Sequence, residues 1–410
     1  MKKTKTPQIR FKGFTEDWEQ RNLSELSSIG TGFPFDSKSF DDNGRYLVIT
    51  NGNIQDDDCQ VNNVVGNRVD IGESKVLKEY ILNVGDILVT MDGTVGRVAK
   101  VAHNEQILAQ RVGRLTSHVN GEFLFQLLRS GSFSASMIEA SHGGTIKHIS
   151  LKDISTFETQ VPTNEAERKQ IGDYLFYFDQ LITLHQRKFE QLKNIKSFLL
   201  GKMFPSNGEK TPKIRFKGFA EDWEQRKLND ICSFFKGVGL SWDDISDEGK
   251  YPCVLYGNLY THYGMIVDKI SYKTNTYSPS FLMSKKYDVL IPGDDTTPNG
   301  LARATSIEVD DVILGGSINV LRSDLYNGSF LSIALNRNKK KMIPLITGTT
   351  VRHLNNTSIK TIELSLTKNT IEQMKIRNLF YSTDVLIALH QRKCEMLKNI
   401  KQFLLSKMFC

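Results

Sequence analysis

The side chains of this sequence best equipped for directed contacts lie in and around glycine-containing turns. Gly143-Gly144-Thr145-Ile146-Lys147-His148 places a hydroxyl, an ammonium and an imidazole beside two glycines, and Gly348-Thr349-Thr350-Val351-Arg352-His353 repeats that composition 205 residues later. Turns of this kind bring short donors and backbone amides to a surface. Arg, Lys, Asn, Gln, Ser and Thr pair with nucleic-acid base edges, and Lys, Arg and amides take phosphates. On that criterion the first half offers Thr90, Asp92, Thr94 and Arg97, then Gln110 and Arg111, then Gly144, Thr145, Lys147 and His148. The second half offers Thr296, Thr297, Asn299 and Arg303, then Ser317 and Asn319, then Thr349, Thr350, Arg352 and His353. Arg337 with Lys339, Lys340 and Lys341 is the densest basic run and suits phosphate contact. Such runs also serve as solvated helix faces, and Gly/Thr turns also close ordinary hairpins.

Bond-making chemistry is not indicated. The sequence has no G-x-x-x-x-G-K-[ST] phosphate cradle, no G-x-G-x-x-G opening a helix, no G-x-S-x-G elbow, no H-E-x-x-H and no Cys/His cluster at zinc spacing. Asp56-Asp57-Asp58 lacks the alternating oxygen ligands and closing Glu of a calcium loop, so it reads as a solvated acidic turn. Asp294-Asp295, beside Thr296-Thr297, reads in the same way, with its position after a strand offering a contact loop as the alternative. No catalytic residue and no metal site is expected.

The elements that must carry these turns come in two copies. Thr6–Arg21 returns almost unchanged as Thr211–Arg226, and at the same offset Leu181–Phe204 returns as Leu386–Phe409. The interiors, 22–155 and 227–360, agree only at scattered positions such as Tyr46, Gly52 and Asn53 against Tyr251, Gly257 and Asn258. A kept frame with changed contents suits two readers presenting different surfaces from equivalent places. The interiors read as short β-rich runs, among them Arg45–Ile49, Asp86–Thr90 and Asp288–Ile291, separated by Gly, Asn, Asp and Pro turns. Beyond Pro162 the pattern becomes helical, with Asn164/Glu167 and Asn369/Glu372 in cap and third-position relation. Ile182, His185, Phe189, Leu192, Lys196, Leu199 and Met203 step by three and four, as do Ile387, His390, Cys394, Leu397, Lys401, Leu404 and Met408. This is a coiled-coil seam with polar interruptions, in which His185 and His390 set register rather than perform catalysis. Each helix is expected to run up to about 40 residues, or about 60 Å. The expected segments are 1–21 and 205–226 (repeated opening, the second with the connector Pro205-Ser206-Asn207-Gly208), 22–155 and 227–360 (variable domains), and 156–204 and 361–410 (long-helix regions). Trp18 and Trp223 lie in the shared frame and are expected to pack rather than stack on bases.

Bulk properties narrow the class without deciding it. A net charge of +7 is compatible with a polyanion partner. No apolar run is long enough to span a membrane and the start lacks the apolar block of a signal peptide, so the expected location is the cytoplasm. The cysteines Cys59, Cys232, Cys253, Cys394 and Cys410 are scattered, without a C-x-x-C pair, and read as reduced thiols.

The sequence resembles the specificity subunit of type I restriction-modification systems over essentially its whole length. The resemblance is carried by the duplicated opening from Pro7 to Glu19 and from Pro212 to Glu224, and by the helix from Leu184 to Lys196 and from Leu389 to Lys401. Gly52-Asn53, Gly85-Asp86-Ile87-Leu88 and the turns at Gly143 and Gly348 add to it, while Tyr287 departs from the glycine of the second Gly-Asp-Ile-Leu equivalent. The resemblance implies an α+β fold: two β-rich target-recognition domains in pseudo-two-fold arrangement, joined by two long antiparallel helices forming a coiled coil. It implies that each domain reads one half of a split, asymmetric DNA target, that the helices set the spacer, and that they dock two methyltransferase subunits and motor-nuclease subunits. S-adenosylmethionine, ATP and magnesium are then expected on those partners, with no cofactor in this chain. Readers about one duplex turn apart, near 34 Å, would each address their own groove. The competing readings are a protein-interaction scaffold without sequence preference, and a self-contained enzyme whose isolated chain would show activity.

Overall fold

The computed structural model describes residues 6–55, 59–206 and 208–409, so the Asp56-Asp57-Asp58 turn, Asn207 of the connector and Cys410 lie outside the described residues. The chain forms two compact units, one of residues 1–186 with 392–410 and the other of residues 187–391. These are not consecutive segments, because each unit takes the end of a long helix from the other repeat.

The two long helices are α1 (Glu165–Lys202) and α2 (Thr370–Met408), close to the expected length. Asn164 accepts from the Ala166 amide, and Asn369 from those of Ile371 and Glu372, so both asparagines cap as expected. The glutamates do not complete a capping box. Glu167 is buried and takes a two-pronged contact from Arg10, 2.7 and 2.8 Å, plus the Trp18 indole N–H at 3.3 Å. Glu372 takes the same contact from Arg215 at 2.7 and 3.0 Å. The repeated opening segments therefore bolt each helix start to its own unit through a bidentate guanidinium–carboxylate pair.

In the first unit, a four-stranded antiparallel sheet has the order Ser27–Thr31, β2 (Val112–Ser117), β1 (Ile87–Thr90) and Val98–Lys100. A smaller sheet pairs Tyr46–Ile49 antiparallel to Arg68–Val69 and parallel to Gln106–Leu108. Glu19–Asn22 pairs with Glu158–Val161, closing the domain over its helix. The main core gathers Trp18, Ile87, Val89, Leu115, Phe123 and Phe133 with Ile171 and Leu175 of α1 and Leu405 and Met408 of α2. Trp18, 2% exposed, meets Phe409 edge-on at 6.4 Å.

The second unit repeats this plan with five strands, Ser233–Lys236, β4 (Ile318–Arg322), β3 (Asp288–Pro292), Thr305–Ile307 and Ile266–Val267, and a second sheet of four. Trp223 packs against Phe204 at 5.5 Å and Phe330 at 5.7 Å, in a core completed by Met203 of α1 and by Ile376 and Phe380 of α2.

The seam is visible in burial. From 182 to 198 of α1, Ile182, His185, Phe189, Leu192 and Lys196 are half-buried and every other residue is exposed; Ile387, His390, Cys394 and Leu397 of α2 are likewise half-buried, with Lys401 buried. The lysines at seam positions are paired. Lys401 meets Asp179 at 2.6 Å in the first unit, and Lys196 meets Asp384 in the second. In each unit the partners run antiparallel, Leu175 and Asp179 lying with Leu405 and Lys401 in the first. Among the described residues no helix is long and apolar enough to cross a membrane, and no cluster of His, Cys, Asp or Glu is arranged to hold a metal ion.

Candidate functional site

Each unit presents its Gly/Thr turn at the end of the two central strands, where one carboxylate organises it. In the first unit, Asp92 follows β1. Its Oδ1 takes His148 Nδ1 at 2.7 Å and its Oδ2 takes Arg111 Nη1 at 3.0 Å. The Gly93 amide donates to the Lys147 carbonyl and the Ile149 amide to the Met91 carbonyl, each at 2.9 Å. His142 and His148 exchange backbone bonds at 3.1 and 2.8 Å, leaving residues 143–147 as an exposed loop. The result is a small hairpin, stapled at its base, with Gly144, Thr145 and Lys147 at its tip.

The second unit builds the same object from different residues. Asp294, after β3, takes His353 Nδ1 at 2.6 Å and the Ser317 hydroxyl. Desolvation pushes the Asp294 pKa up, but these bonds and the nearby imidazole hold it below the usual carboxylate range. Asp294 and Asp295 pair with His353 and Arg352, and Thr347 with His353, so Gly348–Val351 form the exposed tip. Gly143 and Gly348 adopt φ of +106° and +94°, and a Cβ there would lie 2.4 and 2.3 Å from the carbonyls of Ile146 and Val351. Only glycine closes the turn.

At the opposite end of the same strand each unit places a second acid. Asp86 pairs with Arg114 at 2.8 Å and accepts from Thr116 at 3.0 Å; Asp288, fully buried, accepts from Nε and Nη2 of Arg322, each at 2.7 Å. Tyr287, standing where the first domain has Gly85, adopts φ +72° against +99°, so the turn survives the substitution.

The structure brings Asp92, Arg111, Lys147 and His148 together in one unit, and Ser317, Arg352 and His353 in the other. Gln110, Thr94, Thr296, Asn299, Thr349 and Thr350 stand exposed on or near these ends. Thr297 caps the helix Pro298–Leu301 through the Gly300 amide at 3.2 Å. Arg97 is half-buried in the turn closing β1, where its amide donates to the Thr90 hydroxyl.

Several sequence-picked residues have structural work instead of a free surface. Thr90 is 2% exposed and its hydroxyl donates to the Thr94 carbonyl at 2.5 Å. Asn319, also 2% exposed, donates to the Leu354 carbonyl at 2.7 Å. Asp92 spends both oxygens on the staple. Arg303 is half-buried and holds the carbonyls of Tyr260 and Tyr263 at 3.0 and 3.3 Å; desolvation lowers its pKa. Lys341 donates to the Glu363 carbonyl at 2.8 Å. Lys339 and Lys340 stay exposed after the helix Gly328–Arg337, with Arg337 half-buried at its end. Desolvation, then the charges of Arg303 and Lys196, lower the Lys339 pKa.

Sequence reasoning treated Asp294 and Asp295 as a possible contact surface and missed Asp294 as an organiser. A signal existed: in each domain an Asp recurs six residues after the first, Asp86 to Asp92 and Asp288 to Asp294.

Comparison with known proteins agrees with this duplicated plan. The type I restriction modification DNA specificity domain matches twice, at residues 15–194 and 220–399. A type I restriction enzyme specificity subunit (MjaVIII) of Methanocaldococcus jannaschii is 22% identical over 355 residues, spanning 79% of this chain and 78% of that protein. The crystal structure of a type I restriction-modification S subunit from M. genitalium superposes with a TM-score of 0.68 at 17% identity, covering 99% of both chains.

Proposed function

The chain belongs to the type I restriction-modification DNA specificity family, and on that premise we propose that it reads a bipartite, asymmetric DNA target, one half per domain. It is a specificity subunit, with catalysis on partner subunits. The observation that carries the bipartite reading is the stapled turn in each unit: the Asp–His pair is retained while the residues it presents differ, Thr145 and Lys147 against Thr349, Thr350 and Arg352. A rigidly held turn limits the entropy lost on docking into a groove, and different tips select different bases. Lys339 and Lys340 supply phosphate contacts beside the second reader.

The helices serve assembly. Each carries an exposed apolar row beside the seam, Leu184, Ile195 and Phe198 on α1 and Leu389, Ile400 and Phe403 on α2. The rows are copies at the 205-residue offset, which suits two identical partners. These are two methyltransferase subunits that bring S-adenosylmethionine; motor-nuclease subunits bring ATP and magnesium, and the complex works in the cytoplasm. The helix pair sets the spacer between the half-sites.

Selection of bound duplexes from a random pool by the assembled complex tests this reading. The expected outcome is one motif with two unlike fixed halves and an unread gap, with affinity falling steeply as salt rises. Assembly without sequence enrichment would instead mark the chain as a scaffold.

A further inference from the structure

The two staples differ in the third group on the carboxylate. In the first unit Asp92 Oδ2 holds Arg111, whereas in the second Asp294 takes the Ser317 hydroxyl. The positions are equivalent, since Thr90 pairs with Val112 in one sheet and Pro292 with Ile318 in the other, and each residue immediately precedes the paired strand. Both adopt left-handed backbone, φ +66° and +59°. Residues with a Cβ hold that conformation only where their surroundings compel it.

Ser317 commits its one donor to the bond it makes. Arg111 does not commit all of its donors: Nη1 donates to Asp92, its side chain is 60% exposed, and Nε and Nη2 remain open among the described contacts. Asp92 also holds the imidazole of His148, so one carboxylate ties the guanidinium to the base of the turn bearing Thr145 and Lys147. A guanidinium held by a carboxylate has already lost part of its rotamer freedom, and its planar donors match the O6 and N7 acceptors of guanine in the major groove.

We propose that Arg111, oriented by Asp92, reads a guanine in the half-site of the first domain, whereas the second domain reads no base from the equivalent position. This rests on the DNA-reading function above and adds a named base to it. Arg111 is the contact residue and Asp92 a positioning residue.

Selection from a random duplex pool by the assembled complex, repeated with variants, decides it. The unaltered complex should select guanine at a fixed position of one half-site. Arg111→Ala should lower that preference roughly 5- to 150-fold while leaving the other half-site and the thermal unfolding of the chain unchanged. Asp92→Asn should weaken the same preference without removing it. Retention of every base preference by Arg111→Ala overturns the proposal. So does an equal loss of affinity for all sequences, which would mark a phosphate contact, or the absence of any fixed guanine. Failure of the unaltered complex to select any sequence overturns the DNA-reading function itself.

Discussion

A carboxylate and an ammonium buried side by side are stable only as a pair, and Asp179 with Lys401 is such a pair, at 7% and 5% exposure. Cys59 Sγ at 3.0 Å and Gln126 Nε2 at 2.7 Å complete the shell of Asp179. Burial pushes the Asp179 pKa up, but the Lys401 charge and these bonds hold it below the ordinary carboxylate range, while desolvation raises the Cys59 thiol to about 11. Replacing Asp179 by Asn strands a buried cation and should cost roughly 3–5 kcal/mol in denaturant unfolding of the first unit. Because the folded pKa is depressed, the carboxylate's stabilisation is complete above the unfolded value near 3.9 and is lost as pH falls through the lower folded value. The gap between unaltered and Asp179→Asn proteins should hold from pH 5 to 8 and narrow only below about pH 4. A gap that narrows between pH 5 and 8, or no gap at all, would contradict this. The repeat counterpart, Lys196 with Asp384, is about a quarter exposed, and its loss should be felt much less.

At the scale of elements, the dependence of each unit on a distant helix end has direct consequences. Leu405, Met408 and Phe409 lie in the first core and Leu404 packs against it, so deleting residues 404–410 removes four large apolar groups. That should destabilise the first unit by about 5 kcal/mol or more. Hydrogen exchange should show protection lost around Trp18 and Phe123 and kept around Trp223 and Phe330; loss in the second unit instead would refute the assignment. Adding one heptad to both helices at equivalent places, after Lys188 and after Lys393, should lengthen the unread spacer by about three base pairs, from about 10 Å of added helix, with both half-sites unchanged. Unchanged spacing in the selected motif would show that the helices do not set it. The seam, the asparagine caps and the packing of Trp18 and Trp223 were legible in sequence, because periodicity and repetition state them directly. The fate of Glu167 was not: a third-position glutamate satisfies the capping pattern equally well when it is turned inward to Arg10, 157 residues away. Pairing of the two helices was expected from the repeated seam, but the entry of each helix end into the core of the other repeat was not, since such contacts leave no local trace. At the site, the turns were legible from their glycines. Burial of Thr90 and Asn319 was not, because an alternating strand reveals which side chains share a face but not where its exposed end begins.

For the whole molecule, duplication is the economical route to an asymmetric target: one frame used twice, with interiors free to differ. Domains that diverged independently should respond to change independently. Exchanging residues 227–360 for those of another family member should alter one half of the motif and preserve the other, as read by selection from random duplexes. A change in both halves would mean that the domains do not read separately. The central claim, that this chain decides which DNA is modified, is tested most directly by single-molecule methylation sequencing of DNA from cells carrying the cognate methyltransferase subunit with and without the chain. The account predicts one two-part asymmetric motif with a fixed unread spacer, methylated only when the chain is supplied. Methylation that is absent or unchanged, despite an assembled complex, would contradict it.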